Sequence, residues 1–184
     1  VLITSGDPDN LLELRNVVVD EVVLLYTLPR GLTDALRRIE QRSPLRRLEL
    51  FFENGSLGPV DARLIAALVL ACRSNHPPRS VSQIARLVAC SPRTLQRMWR
   101  QHFPQRDAWR LEDTLAAILL LHVRASMTSE KSLRTVTREI GLDRSRIRRI
   151  SKRLFGTTPG VLFTGSTNEL VERIRGELAR FAAM

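Results

Sequence analysis

A chain of 184 residues has room for one ordinary domain or two small ones, and a hydrophobic share of 43% is enough to build a core. Its formal net charge of +10 and pI near 11.3 point to a polyanionic partner, and two cysteines, Cys72 and Cys90, exclude a disulfide scaffold and fit a reducing compartment. No apolar run reaches the roughly 18 residues that span a bilayer and no secretory signal is visible, so a cytoplasmic protein with no membrane partner is expected.

Opening on Val1, the sequence is compatible with a fragment of a longer protein. Residues 1–57 alternate strand and helix patterns. Residues 1–4 and 22–27 are apolar runs, residues 9–16 and 33–41 carry helical spacing, and residues 48–52 read as a third strand. That alternation predicts a small parallel α/β portion. Residues 58–75 follow as a connecting helix, with Pro59 at its start. The NHPPR loop at 75–79 then breaks the chain.

The stretch from 76 to 163 contains a repeat. SVSQIARLVACSPRTLQRMWRQHF at 80–103 aligns without a gap on SLRTVTREIGLDRSRIRRISKRLF at 132–155, an offset of 52. Ile84 falls on Val136, Ala89 on Gly141, Leu95 on Ile147, Arg97 on Arg149 and Phe103 on Phe155. Each copy reads as two short helices joined by a tight turn. Ser80 is placed to cap the first helix, and Val81, Ile84, Ala85 and Val88 share one face. Ala89 and Gly141 mark the turns, where a small residue eases an awkward backbone. Ser91-Pro92 opens the next helix as cap and first residue, and Asp143 takes the cap role in the second copy. Leu95, Met98, Trp99, His102 and Phe103 form one apolar stripe; Ile147, Ile150, Leu154 and Phe155 form the other. A joining helix over about 107–125 carries the apolar string LAAILLLHV, and residues 164–184 form a C-terminal amphipathic helix.

Charge follows the repeat. Residues 1–57 carry a net −2, residues 58–110 +7, residues 111–163 +5 and the last 21 residues zero. An arginine-rich composition imposed by the genome would have spread more evenly. The second helix of each copy is cationic opposite its apolar stripe: Arg93, Thr94, Gln96, Arg97 and Arg100 in the first, Arg144, Ser145, Arg148, Arg149 and Lys152 in the second. A basic helix face alone is usually solvated surface. Twice in register on the second helix of a helix-turn-helix, it is the geometry that enters a major groove, where Arg and Gln pair with base edges.

At these residues the chain resembles the AraC/XylS family of transcription factors. LQRM at 95–98, before a basic residue and an aromatic, is similar to the family's first recognition helix; KRLFGTTPGVL at 152–162 is similar to the signature that closes the second motif. Gly156 there stops a helix and Thr158-Pro159 starts the next turn. The resemblance covers residues 76–163 and implies a mostly α fold, two helix-turn-helix subdomains joined by a long helix, and sequence-specific binding of double-stranded DNA in transcription regulation. RNA polymerase and a second copy of the chain are the protein partners that this reading admits. Three departures bear on the second unit: its turn is one residue shorter than usual, Thr137 stands in place of a small alanine, and Ser151 in place of an aromatic. Glu112-Asp113 also stands on the joining helix where relatives tend to be basic. Base reading is therefore expected mainly from the first unit. VVLLYTLPRGLTDALRRIEQRSPLRRLELFF in the front portion resembles part of a response-regulator receiver. Ser5 and Gly6 stand at its acidic-pair positions beside Asp7, and Leu25-Tyr26 where the phosphorylated aspartate belongs, so a degenerate receiver-like remnant is expected.

Other chemistry finds little support. His76, His102 and His122 lack partners at metal-ligand spacing, and neither a phosphate-cradling glycine loop nor a nucleophile elbow occurs. No catalytic residue, metal or cofactor is expected. The alternative to DNA is a non-enzymatic interaction module whose basic helices bind an acidic protein or RNA; the few aromatics, read as buried, argue against RNA.

Overall fold

The structure, a computed structural model, describes residues 2–4, 22–24 and 43–182 apart from 56, 75, 106, 129 and 130. The chain divides after Ser43 into two compact units. Of the first, the described part is a parallel pair, β1 (Leu2–Thr4) and β2 (Val22–Leu24), with Leu2 opposite Val22. Parallel pairing is what an α/β alternation produces. The helices expected at 9–16 and 33–41 lie outside the described residues.

The second unit is helical. Among the described residues it holds α1 (Pro44–Glu53), α2 (Ala62–Arg73), α3 (Val81–Leu87), α4 (Pro92–His102), α5 (Leu111–Ala125), α6 (Leu133–Glu139), α7 (Arg144–Phe155), α8 (Pro159–Leu162) and α9 (Thr167–Ala182). None is long and apolar enough to cross a membrane.

Residues 48–52 are therefore not a third strand; they lie inside α1. The string LELFF has strand-like composition, but Pro44 starts a helix, and Leu48, Phe51 and Phe52 recur at helical spacing and are buried against α2 and α5. Glu49, only 4% exposed, is held by Arg46 one turn back and by Arg73 at the end of α2, fixing that register across the pair. The connecting helix also starts later than Pro59 implies. Asp61 caps it, its carboxylate accepting the Arg63 N–H at 2.8 Å. The joining helix likewise starts at Leu111 rather than near 107.

Helix α5 is the axis of this unit. Leu111, Leu115, Ile118, Leu119, Leu120, Leu121 and Val123 are all buried, and α1, α2, α3, α6, α7 and α9 each pack on it. Helix α9 covers α1 and α5 with Leu170, Val171, Ile174 and Leu178, so its apolar stripe is spent within the chain. His122 on α5 donates its Nε2–H to the Ala71 carbonyl of α2 at 2.9 Å. Burial pulls its pKa below the ordinary 6.5, against a smaller upward contribution from that carbonyl.

The folded state thus takes up this proton less readily than the unfolded chain. Its contribution is intact above about pH 6.5 and declines as pH falls toward the lower folded value. Urea midpoints of the wild type are expected to drop between about pH 7.5 and 5.5, and to drop less in His122→Gln. An equal response in the variant would assign the effect elsewhere.

The two tight turns are built alike. Ala89 and Gly141 both sit in the left-handed region, at φ 48° and 60°. The amide of Cys90 donates to the Ala85 carbonyl at 2.9 Å, and that of Leu142 to Thr137 at 2.7 Å, the same closure in each copy. A side chain at such a φ costs about 1–2 kcal/mol. Gly141→Ala is therefore expected to destabilise by about that much, helped by a Cβ that would lie 3.3 Å from the Arg79 guanidinium. Ala89→Gly should change little or stabilise, because relief of strain there offsets glycine's extra backbone entropy. Thermal unfolding checks both: a lower midpoint for Gly141→Ala, and an unchanged or higher one for Ala89→Gly.

Candidate nucleic-acid interface

Local chemistry sets the start of both cationic helices. On α4 the Ser91 hydroxyl accepts the Thr94 N–H at 3.0 Å, and Pro92 fills the first position. On α7 the Asp143 carboxylate accepts the Ser145 N–H at 2.9 Å and its hydroxyl as well. Those two hydrogen bonds, the hydroxyl's first, hold the Asp143 carboxyl below its usual range, with Arg149 adding to them. At the other end Gly156, at φ 68°, terminates α7 as its sequence position implies.

The apolar side of each helix anchors it. Leu95, Trp99 and Phe103 are buried, while Met98 and His102 are half-buried; His102 donates its Nε2–H to the Leu57 carbonyl at 2.8 Å. Ile147 and Ile150 are buried on α7, with Leu154 and Phe155 partly so. Thr137 and Ser151, the two polar departures of the second unit, are both buried without being orphaned. Thr137 donates to the Leu133 carbonyl at 2.8 Å and Ser151 to that of Thr157 at 2.8 Å. Helices α6 and α7 lean on α5 more than on one another.

The opposite sides meet solvent. Arg93, Arg97 and Arg100 are exposed along α4, with Thr94 and Gln96 half-buried beside them; together with Ser91 and Gln101 they line one shallow surface depression. Arg144, Ser145, Arg148, Arg149 and Lys152 are exposed along α7. Among the described residues, none of Arg93, Arg97, Arg100, Arg144, Arg148 or Lys152 takes part in a salt bridge. Their charge is available to a partner.

Three of the sequence-assigned side chains are already engaged. Thr94 shares its hydroxyl with Ser91 at 2.8 Å, and Ser145 gives its own to Asp143. Gln96 donates Nε2–H to Glu112 at 2.6 Å, and because a carboxylate only accepts, Oε1 is the end left to a partner. Next to it Asp113 accepts the Arg110 N–H at 3.1 Å and pairs with Arg153 of α7 at 2.8 Å. The acidic dipeptide thus touches both cationic helices from the start of α5.

Two arginines that sequence reasoning passed over tie the copies together. Arg146 of α7 donates to the Arg79 carbonyl at 2.8 Å, and the Arg79 guanidinium donates to the carbonyl of Ile140. These bonds join the entry of α3 to the turn before α7, across 61 and 67 residues, and nothing local in the sequence signals them.

Reactive groups elsewhere are muted. Burial, then the nearby Glu49 charge, pushes the Cys72 thiol up, away from thiolate chemistry at neutral pH. No group of three or more metal-ligating side chains forms among the described residues. No family model matches the chain, and no curated protein or solved structure does either.

Proposed function

We propose that the chain is a sequence-specific double-stranded DNA-binding regulator of transcription, with α3–α4 and α6–α7 as two helix-turn-helix units and α4 and α7 as recognition helices. The observation that carries this reading is the duplicated construction. Two capped helices, each following a left-handed turn, α4 seated on α2 and α3 and α7 on α5, present unpaired cationic sides. Exposed arginines on such a helix make paired hydrogen bonds to guanine, and the rest of the positive charge meets phosphates. The AraC/XylS resemblance of residues 76–163 agrees with this arrangement. The front unit, with its parallel β1–β2 pair, is read as the receiver-like remnant.

Selection of bound sites from random duplex DNA tests the proposal. The expected product is two short conserved blocks about one helical turn apart. Affinity should fall steeply with salt, as counterion release requires. Failure to enrich any motif, or equal affinity for single-stranded RNA, would replace the reading with the interaction-module alternative.

A further inference from the structure

Between α5 and α7, spanned at one end by residues 78–80, runs a cleft of about 730 Å³. Leu115, Ala116 and Leu119 of α5 and Ile150 of α7 form its floor. Arg79, Arg146, Arg149, Lys152 and Arg153 stand around it, and Glu112 is the one carboxylate in its lining. Arg153 is answered by Asp113. Arg79 and Arg146 spend donors on carbonyls, which leaves their charge uncompensated. Arg149 and Lys152 are exposed. The cleft is apolar below and cationic above.

We infer that this cleft binds a small amphipathic acid, an apolar body of one or two rings bearing a single carboxylate. Its volume lies within the about 300–1,000 Å³ of small-molecule sites. The two parts of the lining ask for two parts in the ligand. The floor rewards burial of an apolar body, and a guanidinium fork pairs with a carboxylate through two parallel hydrogen bonds. A phosphate would satisfy the rim and leave the floor wet. Binding of the acid rests on the cleft alone. Its consequence rests on the proposed function: Arg149 and Lys152 belong both to the rim and to the side of α7 assigned to DNA. An acid that holds them competes for the charge that holds phosphates, so acid and duplex weaken each other by the same factor.

The test uses the full chain, with 4-biphenylcarboxylate, its uncharged amide and inorganic phosphate as probes in calorimetry. The carboxylate is expected to bind about tenfold or more tightly than the amide, and phosphate not to displace it. Ala116→Leu, which fills the floor from the half-buried side of α5, should weaken the carboxylate about tenfold with an unchanged thermal midpoint. Amide shift mapping of the wild type gives the same information without a variant, and the largest shifts belong at residues 115–119 and 149–153. Equal binding of amide and acid, displacement by phosphate, or shifts centred elsewhere overturns the site. With duplex DNA present, saturating acid should raise the protein concentration for half-binding about threefold or more; no change overturns the coupling. A chain that binds the acid but no duplex overturns the DNA reading and its coupling while upholding the cleft.

Discussion

Replacing Trp99 by alanine is expected to lower the unfolding free energy of the helical unit by about 3–5 kcal/mol. Trp99 is 3% exposed, lies against Phe103 with ring centroids 4.3 Å apart, and donates its Nε1–H to the Trp109 carbonyl at 2.7 Å. It therefore joins α4 to the segment leading into α5, and truncation opens a cavity that helices on several sides would have to fill. Trp99→Phe keeps most of the ring and loses the donor, for about 0.5–1.5 kcal/mol from the hydrogen bond alone. Urea unfolding followed by circular dichroism separates the two, with Trp109 as a remaining fluorophore. A loss below about 1 kcal/mol for the alanine variant would show that the site collapses freely.

The second large effect concerns DNA. Arg97→Ala, on the exposed side of α4, should cost about 1–3 kcal/mol on the preferred site and relax selection at one position. Gln96→Ala should cost less, because its amide nitrogen is already given to Glu112 and a paired contact with adenine is not open to it. On α7, Arg148→Ala and Lys152→Ala should weaken all duplexes alike, each shallowing the log–log salt slope by about 0.9. The reason differs from the one the sequence implies. Thr137 and Ser151 do not leave the second unit ill-packed, since both hydroxyls find carbonyls. Rather, with Ser145 consumed by its cap and Arg153 by Asp113, the assigned side chains left free on α7 are all cations, suited to phosphates, whereas α4 also keeps the Oε1 acceptor of Gln96. Titrations on the selected site and on a scrambled duplex, at several salt concentrations, decide both halves. Unaltered base preference in Arg97→Ala would remove α4 from the reading role.

What could be read in the sequence was local. Ser80, Ser91-Pro92, Asp143 and Gly156 act within four residues of themselves, so their chemistry announces the helix ends without knowledge of the fold. The cationic sides of α4 and α7 followed from helical spacing alone. Residues 48–52 misled because aromatic and aliphatic density is shared by strands and buried helices, and a five-residue window cannot tell the periods apart. A longer one could: Leu48, Phe51 and Phe52 face α2 while Arg46, Glu49 and Glu53 form a ladder one turn apart. The engagement of Gln96 by Glu112 and the arginine bonds at 79 and 146 were beyond reach. Each joins residues far apart in sequence, and each uses a side chain of a type that is ordinarily solvated: Gln96 to the Glu112 carboxylate, and Arg79 and Arg146 to backbone carbonyls.

Those arginine bonds, with α5 beneath them, have a mechanical meaning. They tie the helix-turn-helix that carries α4 to the one that carries α7, so on the proposed reading the separation of the two helices is set by the chain and not by its partner. A caliper with a locked jaw passes all adjustment to its object. On the proposed reading it is the duplex that changes shape to present two grooves at the set spacing, at a cost that depends on how readily the intervening base steps bend. The preferred site would then hold sequence information at positions that no side chain touches, and stiff steps placed there would be rejected as surely as a wrong base under Arg97.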